Sequence, residues 1–304
     1  MELEQKKISI LFLDSSPNLS LDTAEVQKWL DQQFEIGLIA QTTAEVIPAP
    51  LSPSASGEIW QKVAEAIIKQ KEVTEAFVVI AHLESLLTTS AALSFMLQGL
   101  DKPLIFTSSP NNTAYEHIEA LTKDFGIRAN LLNALQVATM DIPEPAIVFG
   151  NRIIRATRAI RTYDSSINLF QSFQTPLLGN IDFGVHLSEQ ENIGPVGFQP
   201  MPVFEHKLFT LDVLSDLSQV TVPEGVKGII SRIPLTTAWM EQYAKGRPVL
   251  IWSGSTVNHP LAIQVNQMTW ETAVVKFGWI LAQTQDVAQI RQLMLKNFIG
   301  ELGE

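Results

Sequence analysis

Six nearly unbroken apolar residues, Ala76–Ala81 (AFVVIA), constrain this chain more than any other feature. A run that short and that uniformly apolar reads as a strand covered on both faces. A break follows at His82–Leu87, and Thr88–Leu100 then predicts a helix. Its residues Leu93, Met96, Leu97 and Leu100 recur at i, i+3, i+4 and i+7, the spacing of one apolar face. Gly99 and Pro103 end that helix, and Leu104–Thr107 is a second strand. The pattern is a βαβ unit, whose ligand loops lie at the carboxyl ends of its strands. Chemistry is therefore expected first at His82–Leu87.

Composition narrows the function classes. A formal net charge of −11 argues against a general binder of phosphate backbones, which needs clustered Lys and Arg. With no cysteine, disulfides, thiolate metal sites and cysteine nucleophiles are all excluded. No run approaches the ~18 apolar residues of a membrane span. The start, MELEQKK, is charged and lacks the apolar stretch of a signal peptide, so a cytoplasmic protein is expected.

Along the chain, Ile8–Leu13 predicts a buried first strand, followed by the turn-forming run Asp14-Ser15-Ser16-Pro17-Asn18. Leu21–Phe34 predicts a helix with Asp22 at its start, and Gln41–Ser56 a loop around a short strand. Further helices are expected at Ile59–Lys69 and Asn130–Met140, and a strand at Ala146–Gly150. Asn111–Phe125 is expected to be loop and short helix. Ser188–Pro202, with two glycines and three prolines and no apolar period, reads as a linker. Beyond it come strands at Gly228–Ile233 and Val249–Trp252, then helices at Trp270–Gln283 and Asp286–Phe298. Asp286 with Gln289 resembles a variant capping box. Strands alternating with helices on both sides of the linker predict two α/β domains with largely parallel sheets. The boundaries are 1–187, a linker at 188–202, and 203–304.

Several segments then resemble a known family. TTSAALSFMLQGLDKPLIFTSS (Thr88–Ser109) is similar to the "TASALSFML…L.KPVI.TGS" segment of type I, cytoplasmic-type L-asparaginases. NLLNALQVAT (Asn130–Thr139), IVFGNRIIRATRAIR (Ile147–Arg161) and Thr269–Glu304, with its GEL at Gly300–Leu302, resemble further segments of that family. The resemblance covers essentially the whole chain, with deletions near the first strand and in the second domain. It implies an asparaginase-like fold with a larger N-terminal and a smaller C-terminal domain, and homodimers or dimers of dimers. It also implies hydrolysis of an amide through a threonine acyl-enzyme, without a cofactor.

That chemistry needs an attacking hydroxyl, a base and an anion-stabilising pocket. The resemblance assigns these to a TGGT turn, an HGTDT loop, the lysine of an RTTK segment and a substrate-holding DSS loop. TGGT falls on Asp14-Ser15-Ser16-Pro17, so the nucleophilic threonine is Pro17. HGTDT falls on Ala81-His82-Leu83-Glu84-Ser85, making the second threonine Leu83 and the aspartate Glu84. The lysine becomes Arg161, which stays protonated. The DSS loop falls near Leu51-Ser52-Pro53 and keeps one serine.

Two expectations follow. The leading one is a catalytically inactive homologue that binds a small amino-acid-like ligand through Ser52, Glu84 and Arg161, or serves as a subunit of a homo-oligomer (dimer or tetramer) or of a hetero-oligomer with a related chain. Glu84 and Arg161 are expected to pair as carboxylate and guanidinium. The alternative is a divergent amidohydrolase with a rebuilt site drawn from Ser15, Ser16, His82 and Ser85. A purely structural assembly protein is a third reading. Arg152, Arg155, Arg158 and Arg161 read as a solvated or salt-bridged edge rather than an anion site. His117, His186, His206 and His259 have no metal-ligand spacing, so no metal is expected. Ser253-Gly254-Ser255-Thr256 lacks the lysine of a phosphate loop.

Overall fold

In the computed structural model the described residues are 5–16, 21–50, 56–111, 118, 123–142, 144–162, 167–189, 197–212, 215–252 and 257–303. The first strand, β1 (Lys7–Asp14), is buried after its first residue, as its apolar run requires. Helix α1 (Thr23–Asp31) starts where the Asp22 carboxylate accepts the N–H groups of Ala24 and Glu25. The short α2 (Phe34–Ile39) and β2 (Gln41–Pro48) follow. The strand expected within Gln41–Ser56 is longer than the sequence suggests: β2 is an eight-residue edge strand, parallel to β1 along its whole length. Its exposed face is polar, so the apolar pattern of a central strand is missing.

The chain continues through α3 (Ser56–Gln70), β3 (Ala76–Ile80), α4 (Leu86–Met96), β4 (Leu104–Thr107), α5 (Phe125–Ala138) and β5 (Ala146–Phe149). Three further strands complete the sheet: β6 (Arg152–Arg155), β9 (Gly179–Ile181) and β10 (Val185–Leu187). Strands β7 (Ala159–Arg161) and β8 (Phe170–Ser172) form a separate ribbon. The eight-stranded order is β10-β9-β6-β5-β4-β3-β1-β2, parallel from β5 to β2 and antiparallel beyond β5. A second, four-stranded parallel sheet holds β11 (Leu208–Leu211), β12 (Gly228–Ser231), β13 (Val249–Ile251) and β14 (Ala262–Gln264). Helices α6 (Trp270–Leu281) and α7 (Val287–Met294) end the chain's regular structure.

Alternation along each strand sorts its residues between two cores. Ile10, Phe12, Val78 and Ile80 face α1, α2 and α5, while Leu11, Leu13, Phe77 and Val79 face α3 and α4. The second core runs on without interruption into the four-stranded sheet through Trp279, Leu250 and Ile263. This explains a second departure. The spacing in α4 predicts one apolar face, yet ten of its eleven residues, Thr88 excepted, are buried. The helix lies between the large sheet and α6, with Phe95 stacked on Trp279 at 5.6 Å between ring centroids. Its small polar residues satisfy themselves locally: Ser94 donates to the Ser90 carbonyl and Ser90 to that of Leu87.

The segment leading to the second sheet docks on the end of α4. Gln199 and Met201 donate their N–H groups to the carbonyls of Gln98 and Met96 at 2.9 and 2.7 Å. Gly99 sits there at φ +72°, and a Cβ would lie 1.9 Å from the Gly197 carbonyl oxygen, so only glycine fits.

Two arginines of the series at 152–161 are not on a solvated edge. Arg155 is buried in an ion pair with Glu144. Arg158 has no exposed surface and donates to the carbonyls of Gln267 and Glu301. Burial, with the neighbouring Arg155 charge, pushes its pKa down to about 10, so it remains a cation at neutral pH. Glu301 also accepts a 2.6 Å contact from Lys276, and neither side chain is exposed. The Lys276 ammonium donates further to the carbonyls of Met294 and Lys296, and the Glu301 carboxylate accepts the N–H groups of Phe298 and Ile299. This network closes the chain end onto α6. The capping of α7 also differs in detail from the expected box. The Asp286 carboxylate caps Ala288 and Gln289, but Thr284, not Gln289, bonds the Asp286 N–H.

Glu301→Gln leaves the Lys276 ammonium buried without its counter-charge and is expected to cost about 3–5 kcal/mol of stability. Joint replacement of Lys276 by Met and Glu301 by Gln is expected to cost less, because it removes both charges while the Gln amide oxygen can still accept the Phe298 and Ile299 N–H groups. Urea unfolding midpoints of the single and double variants test both statements.

Candidate functional site

The sheet order places a switch point between β1 and β3. The chain leaves β1 for β2 on one side, then returns through β3 and β4 on the other. At such a point the loops following adjacent strands diverge, leaving a crevice outside their carboxyl ends. A narrow cleft lies there, lined by Asp14 and Ser15 at the end of β1, His82 and Leu83 after β3, and Ser108, Ser109 and Asn111 after β4.

Each loop is held by its own bonds. The buried Asp14 carboxylate accepts the N–H groups of Ser16 and Leu21 at 2.9 and 3.1 Å. Asp124 does the same service after β4. It accepts from the Ser109 hydroxyl and from the Asn111 side chain, and caps α5 at Gly126 and Ile127. Asn130 on α5 donates to the Ser108 carbonyl at 2.8 Å and accepts from the Gly150 N–H. Asn130 falls within the family-like NLLNAL helix, and its role is to hold this strand end.

The loop after β3 is organised around His82. Its Nδ1 accepts the Glu84 N–H at 3.3 Å, which assigns the proton of the neutral ring to Nε2. Burial pushes its pKa below the ordinary 6.5, with the Glu84 charge acting against that. Ser85 donates its hydroxyl to the His82 carbonyl at 3.2 Å, not to the imidazole. Leu83 is buried at 4% exposure in the core. Arg161, at the end of β7, donates from Nη1 to Glu84 Oε1 at 2.7 Å. The Glu84 side chain is half exposed and that of Arg161 a quarter exposed.

The sequence-derived candidates thus separate. Ser15 and His82 line the crevice together; Ser16 does not, and is buried at 2% exposure with its N–H on Asp14. Glu84 and Arg161 meet each other. Pro17, Ser52, His117 and Ser253–Thr256 lie outside the described residues. Ser108, Ser109, Asn111, Asp124 and Asn130 had no place among the candidates. The strand-end rule that singles out the loop after β3 applies equally to the loop after β4 and would have found Ser108 and Ser109. Among the described residues no group of three or more His, Asp and Glu gathers to hold a metal ion, and no helix is long and apolar enough to cross a membrane.

A doubly wound sheet, with a crevice at its switch point and a second, smaller parallel sheet, defines the class as asparaginase-like α/β. The family model described as "Asparaginase, N-terminal" matches residues 13–192, more than half of the chain. The chain belongs to the asparaginase family. It is 27% identical over 297 residues to L-asparaginase 1 of Escherichia coli (strain K12), covering 86% of this chain and 84% of that protein. It is also 27% identical over 308 residues to a Glutamyl-tRNA(Gln) amidotransferase subunit of Thermococcus kodakarensis, covering 88% of this chain and 68% of that one. The fold matches the thermostable L-asparaginase from Thermococcus kodakarensis with a TM-score of 0.78 at 20% identity, over 98% of this chain and 99% of that one. L-asparaginase I from Vibrio cholerae gives 0.78 at 22% identity, over 99% and 100%.

Because the folded protein holds His82 below its ordinary pKa, the unfolded chain takes up that proton first as pH falls. The His82 contribution to stability is therefore present above pH ~6.5 and is lost as pH drops below it. His82→Asn is expected to flatten the difference in melting temperature between pH 7.5 and pH 5.5, as read by thermal melts. For Glu84 and Arg161, a double-mutant cycle with Glu84→Gln and Arg161→Gln is expected to give a coupling of about 0.2–1 kcal/mol that shrinks in high salt.

Proposed function

We propose that this chain is a cytoplasmic, non-catalytic member of the asparaginase family. In this reading it binds a small amino-acid-like ligand in the crevice between β1, β3 and β4. It works as a subunit of a homo-oligomer, or of a hetero-oligomer with a related chain. The carrying observation is the Glu84–Arg161 ion pair. Where the family resemblance calls for an aspartate and a lysine that can release a proton, this chain has a carboxylate held by a guanidinium, which keeps its proton at any working pH. Leu83 in the core, at the position of the second threonine, supports the same reading. A relative that is itself named as a subunit supports the assembly role.

One observation favours a second reading: Ser15 and His82 line the same crevice. In a rebuilt amidohydrolase the Ser15 hydroxyl would attack a carboxamide carbon. His82 would take the hydroxyl proton and pass it to the departing ammonia, and water would then release the carboxylate from the acyl-enzyme. Against it, one ring nitrogen of His82 accepts the Glu84 N–H and the other carries the proton, so neither is set to act as a base.

A coupled ammonia assay separates the two readings. L-asparagine and L-glutamine are expected to give no release above background. The same amino acids are expected to raise the melting temperature of the full chain. Ammonia release abolished by Ser15→Ala overturns the non-catalytic reading in favour of the second.

A further inference from the structure

Ser108 is the first residue after β4, and it is 1% exposed. Its backbone is fixed on both sides. The Ser108 carbonyl accepts from Asn130, and the preceding Thr107 donates its hydroxyl to the Val148 carbonyl at 2.8 Å. Its own Oγ has no hydrogen-bond partner, although Ser108 lines the crevice. Of the other polar groups there, Asp14 is committed to two N–H groups, Ser109 and Asn111 to Asp124, and His82 Nδ1 to Glu84, while the partly exposed Ser15 is not buried as Ser108 is. A buried hydroxyl with no partner costs stability that a folded chain has no reason to carry unless something else satisfies it.

Resting on the reading of the crevice as a ligand site, we infer that the Ser108 hydroxyl is a ligand-binding group of that crevice. It would bond an uncharged polar group of the bound molecule. The lining does not favour an anionic group at this point, because its charged side chain is the Asp14 carboxylate, already held by two N–H groups, and no Lys or Arg is part of it among the described residues. A hydroxyl both donates and accepts, so it suits a group whose own donor and acceptor faces are not fixed in advance. In the aligned segment the asparaginase pattern TGS carries glycine where this chain has Ser108, so the hydroxyl is an addition of this chain rather than an inherited part.

The test compares the full chain with Ser108→Ala and Ser109→Ala, measuring melting temperature without ligand and affinity for L-asparagine and L-glutamine by titration calorimetry. Ser109→Ala removes a bonded hydroxyl and is expected to lower the ligand-free melting temperature. Ser108→Ala is expected to leave it unchanged or raise it, while weakening binding by roughly 3- to 10-fold. A ligand-free loss in Ser108→Ala as large as that in Ser109→Ala overturns the inference, because the hydroxyl would then be structural. So does binding that survives Ser108→Ala unchanged in a wild type that binds. A wild type that binds neither amino acid overturns the ligand reading itself, and the inference with it.

Discussion

A helix without a solvent face has to be covered on every side, and the whole molecule is arranged around meeting that requirement for α4. The large sheet covers one side, α3 another and α6 a third, so the two sheets share one continuous core. Phe95 against Trp279 and the docked segment at Gln199–Met201 belong to the same covering. Removing that covering would expose Leu93, Phe95 and Met96 together, each worth about 1.5–3 kcal/mol of burial. The four-stranded sheet is therefore bound to the eight-stranded one by hydrophobic area, not by a few polar contacts.

The crevice is the counterpart of that rigidity. At each of its three strand ends a carboxylate ties the chain: Asp14 at β1, Asp124 after β4, and Glu84 to Arg161 after β3. The first two accept backbone N–H groups, which aligns the chain without placing a charge where a ligand would sit. The cations of the 152–161 series are drawn away from the crevice. Arg155 goes to Glu144, Arg158 to carbonyls near the chain end, and Arg161 to Glu84. What is left at the strand ends is a neutral imidazole, hydroxyls and an amide.

Much of the fold was legible because burial leaves a pattern. β1, β3, β4 and β5 are short apolar runs, and α5 carries Leu131, Ala134, Leu135 and Ala138 at helical spacing. β2 was legible only as a short strand within a loop, because an edge strand has one neighbour and its partly exposed, polar residues read as loop. The burial of α4 was half legible: its apolar spacing was visible, but small Ser, Thr and Ala side chains on its other faces gave no sign of the cover supplied by α6. The candidate site was legible at His82, Glu84 and Arg161 through the family-like segments, and less so at Ser108 and Asp124. Their roles depend on partners 15 to 22 residues away in the chain.

The sequence by itself determined the class of fold, through its alternation of apolar strands and helices. Its resemblance to the asparaginase pattern is also what puts Pro17, Leu83, Glu84 and Arg161 forward as the residues to compare with that pattern's reactive groups. Such a comparison rests on residue identity and needs no coordinates. Only the tertiary structure decided what these residues do instead. It joined Glu84 to Arg161 across 77 positions, set His82 Nδ1 against the Glu84 N–H, and left the Ser108 hydroxyl without a partner at the switch point. Hydrogen bonding and burial are set by which strand ends meet, and no local pattern in the chain records that.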